Sequence, residues 1–316
     1  MGNFRNFASF FVNPINKKYI NDNYQKIPLC FVFQRLFLHL YPYPEKQNSE
    51  TYTPEYLLKT IAKKNRIYYT KKRRNPNELI SFILDNLHKE LNTKKNTYNE
   101  IFNINNNRNK VIFYGIQNYV NSNSSIVFNL LNWFEIKEIK CSRCKTDTYH
   151  LNTYNIFELD ILGAFNYKKN TINILDCLQY YNFYRKQTLF CGICHAYNEV
   201  YNHSKIYSSP NTFIFSLDRK NLDQCFLKIP FIITDRLNLS NLIENKDSPA
   251  KYQLSGVLSY FISENKYISF CLSPVDKQWY VYNDEKVEQT NINNIITMHN
   301  YGSKFIPCLL IYKSAI

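Results

Sequence analysis

Two Cys-x-x-Cys pairs, CSRC at 141–144 and CGIC at 191–194, constrain this chain more than any other feature. Each pair fits a tight turn that points two thiolates at one ion, and two such turns complete a tetrahedral Zn–S4 centre. The 46 residues between the pairs exceed the spacing of a compact ribbon, so strands and a helix must be carried between the two turns. Cys141, Cys144, Cys191 and Cys194 are therefore the candidate ligands of a structural zinc. A closed four-thiolate set holds a fold together and leaves no position for a reactive water. His195 adjoins Cys194 and could replace one thiolate. A redox pair is the weaker reading, because neither motif stands in a thioredoxin-like βαβ setting. The other five cysteines lie in apolar runs and read as core residues.

Composition narrows the classes further. Only six glycines occur in 316 residues, and neither GxGxxG nor GxxxxGK[ST] is present, which excludes nucleotide binding by those loops. The formal charge of +14 raises a nucleic-acid partner as an alternative, that of a zinc-stabilised nucleic-acid-binding protein. The lysines are scattered, however, apart from KKRR at 71–74. They accompany abundant Asn, Ile, Tyr and Phe, whose codons are all A/T-rich, so a generic basic surface is the simpler account. No apolar window reaches the ~18 residues a membrane helix needs, so no membrane partner is expected. The start MGNFRNFASFF lacks the pattern of a signal peptide, and Asn6 breaks the myristoylation motif. Cysteines without an export signal read as thiols and metal ligands. The expected location is cytoplasmic and/or nuclear, with KKRR as a weak import signal. Nothing in the sequence sets an oligomeric state.

Residues 27–41 form an apolar segment long enough for a buried helix, and TPEYLLKTI at 53–61 reads as a short helix opened by Thr53 and Pro54. The clearest helix is NPNELISFILDNLHKEL at 75–91. Asn75 can cap it, Pro76 suits its first turn, and Glu78 stands where a capping box places an acid. Leu79, Ile80, Ile83, Leu84, Leu87 and Leu91 make one broad apolar face. The Asn-rich stretch 92–110 reads as a loop. From 111 onward the expectation is short strands: VIFYGI, SIVFNLLNWF, TYNIFELDI, TFIFSLD, FLKIPFII, KYQLSGVLSYF, YISFCL, QWYVYND and KFIPCLLIYK. A helix at 171–184 interrupts them. Helices first and mainly antiparallel strands later make an α+β chain.

These pieces, in this order, resemble the ubiquitin-specific protease family of deubiquitinases. RNPNELISFILDNLHKEL is similar to the family's QQDAxEFLxxLLDxLHEEL helix, keeping Glu78, Leu84, Asp85, Leu87, His88, Glu90 and Leu91 and departing at Arg74, Asn75 and Pro76. Two CxxC pairs at about this separation follow in the family. SPNTFIFSLDRK matches its LPxxLIIxLKRF strand through Pro210, Leu217 and Arg219. KIPF, YQLSGVL, WYVYNDEKV and IPCLLIYK resemble the elements that close the domain. FVFQRLFLHLY and YTPEYLLKTI resemble the stretch after the nucleophile in the large, long-chain members. The resemblance runs from about residue 4 to 313. It implies a papain-like cysteine protease fold, with residues 1–110 as a helical thumb remnant, 111–215 as zinc-bearing β fingers and 216–316 as a palm.

The family's chemistry needs a Cys nucleophile, a His that takes its proton, and an Asp or Asn that orients the His. No segment here resembles the Cys box NTCYMNS. Cys30, in CFVFQRLF, is a faint echo of it, but it precedes Arg74 by only 44 residues and lacks the neighbouring Asn and Ser. The His belongs to a GGHYxxY element. Matching Tyr267, Ile268, Ser269 and Phe270 to its strand places Lys266 on the His and Asn265 on the preceding Gly. The orienting position survives as Asn283, with Asp284 beside it. The resemblance thus implies an inactive pseudo-deubiquitinase that binds ubiquitin or a ubiquitinated partner. The alternative is an active cysteine deubiquitinase whose nucleophile lies outside this chain.

Overall fold

The computed structural model describes residues 5–21, 29–40, 54–69, 75–94, 107–217, 219, 228–302 and 304–315. Thr53, Arg74, the KKRR stretch and one of the nine cysteines, Cys225, lie outside the described residues. The chain divides into two compact units.

The first unit holds helices α1 (Arg5–Val12), α2 (Lys17–Asn21), α3 (Leu29–Leu40), α4 (Glu55–Lys64) and α5 (Pro76–Leu91). Its core is aromatic: Phe7, Phe11, Phe33 and Phe37 are buried and interlocked, with Phe11 and Phe37 ring centroids 5.3 Å apart. Ring pairs at such tilted geometries add to plain burial. Helix α5 starts as its sequence dictates, with Asn75 Oδ1 accepting the Asn77 backbone N–H at 3.0 Å and Pro76 in the first turn. It buries Ile83, Leu84, Leu87 and Leu91, whereas Leu79 and Ile80 remain half-buried. His88 is held from both ring nitrogens, by Ser125 Oγ at 2.7 Å and Asn123 Oδ1 at 3.0 Å. Burial lowers its pKa, so the ring is a structural tie between α5 and the segment that enters α7.

The second unit differs from expectation at its start. VIFYGI is not a strand but part of helix α6 (Arg108–Ser122), and SIVFNLLNWF splits into helix α7 (Ile126–Leu131), which belongs to the first unit through Leu130, and the start of a strand at Trp133. Both helices are capped by polar residues that the apolar run obscures. Lys110 N–H donates to Asn107 Oδ1, and Phe128 N–H donates to Ser125 Oγ. The buried residues of α6, Ile112, Gly115 and Ser122, recur at helical spacing.

Four strands form one antiparallel sheet in the order β2-β1-β6-β5: β1 (Trp133–Cys141), β2 (Asp147–Tyr154), β5 (Arg185–Cys191) and β6 (Ala196–Ser208). The larger sheet has eight strands. Its path is β13 (Lys286–Thr290), β12 (Trp279–Asn283), β11 (Lys266–Leu272), β10 (Lys251–Phe261), β14 (Phe305–Ser314), β7 (Thr212–Leu217) and β3 (Phe157–Leu159), with β9 (Arg236–Asn238) also paired to β10. Short strands β4 (Ile172–Asn173) and β8 (Phe231–Ile232) pair in parallel. Helices α8 (Ile161–Lys168), α9 (Ile174–Tyr181) and α10 (Ile292–Asn300) complete the unit. The expected helix at 171–184 is thus shorter, because Asn173 and Asp176 form a capping box that starts it at Ile174. One core runs from Trp133 and Phe157, stacked 4.6 Å apart, through Phe215 and Leu310 to Phe270 and Ile295. Among the described residues, no helix is long and apolar enough to cross a membrane.

Candidate metal centre and the family's catalytic positions

The two Cys-x-x-Cys turns close the hairpins β1–β2 and β5–β6, at the same end of the four-stranded sheet. The two turns share one construction. In each, the residue after the second cysteine adopts the left-handed conformation, Lys145 at φ 59° and His195 at φ 49°. That bend returns the chain to its strand while both thiols stay on the inner side. Register between β1 and β6 then sets the turns side by side, with Cys141 opposite Val200. All four Sγ atoms lie within 4.8 Å of one another, Cys141 and Cys194 at 3.9 Å and Cys144 and Cys191 at 3.8 Å. A tetrahedron with metal–sulfur bonds of about 2.3 Å has edges of about 3.8 Å. The cluster is the right size for a tetrahedral ion.

Its electrostatics agree. Hydrogen bonds from Thr146 bring the Cys144 thiol down to about 6, and the backbone N–H groups of Cys194 and Ile193 lower that of Cys191. Burial and the neighbouring sulfurs push Cys194 up to about 12. Ionisation is thus favoured at Cys144 and Cys191 and opposed at Cys194, where a cation at the centre would offset the cost. His195 is exposed and stands outside the cluster, so the donor set is four sulfurs.

Cys30 is wholly buried in α3. Burial, and then the Glu90 carboxylate, push its thiol up to about 12. Glu90 accepts the Cys30 backbone N–H at 2.8 Å and pairs with Lys64 at 2.7 Å. A thiol in that setting is a packing group.

Lys266 opens β11 after a tight turn in which Asn265 takes the left-handed conformation, φ 53°. Its ammonium is gripped by two carboxylates, Glu264 at 2.6 Å and Asp284 at 2.8 Å. Asp284 lies in the β12–β13 turn, itself left-handed at φ 54°. The hydrogen bonds that Lys266 donates to Asp284 and Glu264 raise its pKa above its ordinary value. Asn283 ends β12, and its buried Oδ1 has no hydrogen-bond partner among the described residues. The fold therefore brings Lys266 and Asp284 together, and leaves the Asn283 Oδ1 outside that pair.

The ubiquitin carboxyl-terminal hydrolase family profile matches residues 1–311. The chain belongs to the ubiquitin carboxyl-terminal hydrolases, of the ubiquitin-specific protease type. Ubiquitin carboxyl-terminal hydrolase 9 of Saccharomyces cerevisiae is 23% identical over 277 residues, 83% of this chain. Ubiquitin carboxyl-terminal hydrolase Usp2 of Drosophila melanogaster is 22% identical over 270 residues, 80% of this chain. These matches span 34% and 28% of the relatives' own lengths. Among solved structures, a chain of the SAGA DUB module bound to monoubiquitin superposes with a TM-score of 0.64 at 19% identity, covering all of this chain and 68% of that one. A chain of the SAGA Ubp8/Sgf11/Sus1/Sgf73 DUB module bound to ubiquitin aldehyde gives 0.66 at 17% identity, with 98% and 66% covered. The fold is that of the deubiquitinase family, and the four-stranded sheet with its cysteine cluster is the finger region.

The structure brings together the four cysteines of the two Cys-x-x-Cys pairs. Sequence reasoning did not foresee that Glu264 would join Asp284 on Lys266. The signal was present in SENK, an acid two residues ahead of the lysine across a tight turn.

Proposed function

We propose that this chain is a pseudo-deubiquitinase, a ubiquitin-docking member of its family that performs no hydrolysis. The single observation that carries the reading is the state of Lys266. A group that takes a thiol proton must be free of its own proton at working pH. Lys266 has its pKa raised by two carboxylates, so its charged form persists well above neutral pH. The sign is unfavourable for a base at any physiological pH. A nucleophile contributed from elsewhere would still meet an ammonium ion where the family has an imidazole, so the reading does not depend on where a Cys box is encoded. Structural zinc in the four-cysteine cluster is part of the proposal, because four sulfurs in a closed tetrahedral set suit that ion and leave it no reactive position.

The test uses the folded chain with its metal content measured. Ubiquitin carrying a thiol-reactive electrophile at its C-terminus is incubated with it, and intact mass is read alongside ubiquitin binding by calorimetry. The expected result is saturable ubiquitin binding, no covalent adduct, and one zinc per chain. A stoichiometric adduct at a single cysteine would overturn the loss of chemistry. Absence of ubiquitin binding from the zinc-loaded chain would overturn the docking function.

A further inference from the structure

The finger sheet carries a second polar site, on the face that α9 partly covers. Strand register assembles it. Arg185 of β5 stands opposite Asn202 of β6, and Lys137 of β1 stands opposite Ser204, two residues further along β6. Side chains two apart share a face, so Lys137, Ser204, Asn202, Arg185 and Gln187 form one row across three strands. Tyr181 and Phe183, from the end of α9 and the loop beyond it, wall this row to enclose a cavity of about 170 Å³.

The chemistry of the cavity is unbalanced. Lys137 and Arg185 both line it, and neither forms an ion pair with an acid among the described residues. The Arg185 guanidinium is fixed by stacking on the Tyr180 ring at 4.9 Å, yet its buried Nε has no hydrogen-bond acceptor. Asn202 is 8% exposed, and its buried Oδ1 has no donor. The nearest buried acid, Glu135, does not line the cavity and is already occupied. It accepts from the Tyr181 hydroxyl, from Asn152 Nδ2 at 2.8 Å and from the Tyr154 hydroxyl at 3.3 Å. Buried polar atoms without partners are few in folded proteins, and each calls for a ligand or a water.

We infer that this cavity binds a protonated phosphate group. Its anionic oxygens satisfy Lys137 and the Arg185 Nε–H, and its remaining P–OH donates to Asn202 Oδ1. A guanidinium held flat by an aromatic ring is suited to such an oxyanion. The cavity exceeds one phosphate in size, and the surplus is bounded by the Tyr181 and Phe183 rings, so the group arrives either as the free ion or as a monoester with a flat substituent. The inference is independent of ubiquitin docking.

The experiment is a ³¹P line-broadening titration of inorganic phosphate into the zinc-loaded chain at pH 6.5, with chloride matching the ionic strength. Phenyl phosphate is run as a second arm, and sulfate, which carries no phosphorus, is run as a competitor against bound phosphate. Saturable phosphate binding that chloride does not compete away is expected, with sulfate, which has no proton to donate, bound at least tenfold more weakly. Tighter binding of phenyl phosphate identifies a monoester as the source, and weaker binding the free ion. Arg185→Gln and Lys137→Gln should each weaken binding at least tenfold. Lys186→Gln, which removes the same charge from the opposite face of β5, should leave it unchanged. Failure of the wild-type chain to bind phosphate would mean a water-filled cleft and overturn the assignment, whatever the variants do. So would equal affinity for sulfate, or undiminished binding by a folded Arg185→Gln chain.

Discussion

At the scale of single residues, the buried histidine of the larger sheet makes the sharpest prediction. His299 is 5% exposed, its Nδ1–H donates to the Ile295 carbonyl at 2.7 Å, and its Nε2 accepts from Ser259 Oγ at 2.6 Å. Both nitrogens are used by the neutral ring, and burial brings its pKa down to about 4. The unfolded chain takes up that proton near pH 6.5. Below this pH the unfolded state therefore binds more protons than the folded one, and stability falls as pH drops from 6.5 to 4. The expected loss from this one group is about 3 kcal/mol. Denaturant melts across that range should show it, and His299→Gln should flatten the slope. Gly163 offers a steric counterpart, since a Cβ there would stand 2.4 Å from the Tyr180 ring. Gly163→Ala should destabilise the chain by about 1–3 kcal/mol in the same melts, despite the better helix propensity of alanine.

Among the elements, α5 and α9 show how local chemistry sets boundaries. The α9 capping box joins Asn173 Oδ1 to the Asp176 N–H and Asp176 to the Asn173 N–H, and Lys168 adds an ion pair to Asp176 at 2.7 Å. Asn173→Ala should cost about 1 kcal/mol, read as a lowered melting temperature. In α5, Leu84 and Leu87 have no exposed surface. Leu84→Ala should cost about 2–5 kcal/mol, through lost burial and the cavity left behind. An exposed position of the same helix, Lys89, should tolerate alanine with little change. The helix α6 is the instructive failure of pattern reading. Its β-branched and aromatic run looks like a strand over six residues, and only the wider spacing of Ile112, Gly115 and Ser122, with Asn107 as cap, shows the helical period.

For the whole molecule, the decisive contrast is between the two sheets of the second unit. The eight-stranded sheet is pinned by one large core, with Phe213, Phe215, Leu310 and Tyr312 all buried in adjacent strands. The finger sheet joins that core through Trp133 and Ile206 at its base, and toward its tip Phe190, Ile193 and Tyr197 are exposed. Apolar burial cannot hold the tip. A metal held by the proposed zinc cluster would be the cross-link that can, tying hairpin β1–β2 to hairpin β5–β6. Removing the metal with a strong chelator, or replacing Cys144 with serine, should raise amide exchange in β5, β2 and the outer half of β6. Exchange in β10 and β14 should change little. Uniform loss of protection in both sheets would show that the metal supports the entire unit instead.

What the sequence determined by itself was whatever depends on short-range chemistry. The Cys-x-x-Cys spacing named four sulfurs of one cluster, Asn75 and Pro76 started α5, and KYQLSGVLSYF, read as a strand, matched β10 from end to end. The ordered set of those motifs was enough to identify the family. Tertiary structure decided what requires partners from distant segments. Arg185, Asn202 and Lys137 are a row only because strand register makes them so, and His299 is neutral only because Ser259 and an aromatic core surround it. Lys266 is a spaced-out loop residue in the sequence, and becomes a fixed cation once the β12–β13 turn carries Asp284 to it. Local propensity acts over a few residues, whereas burial, register and charge pairing are properties of surfaces that meet only after the chain has folded.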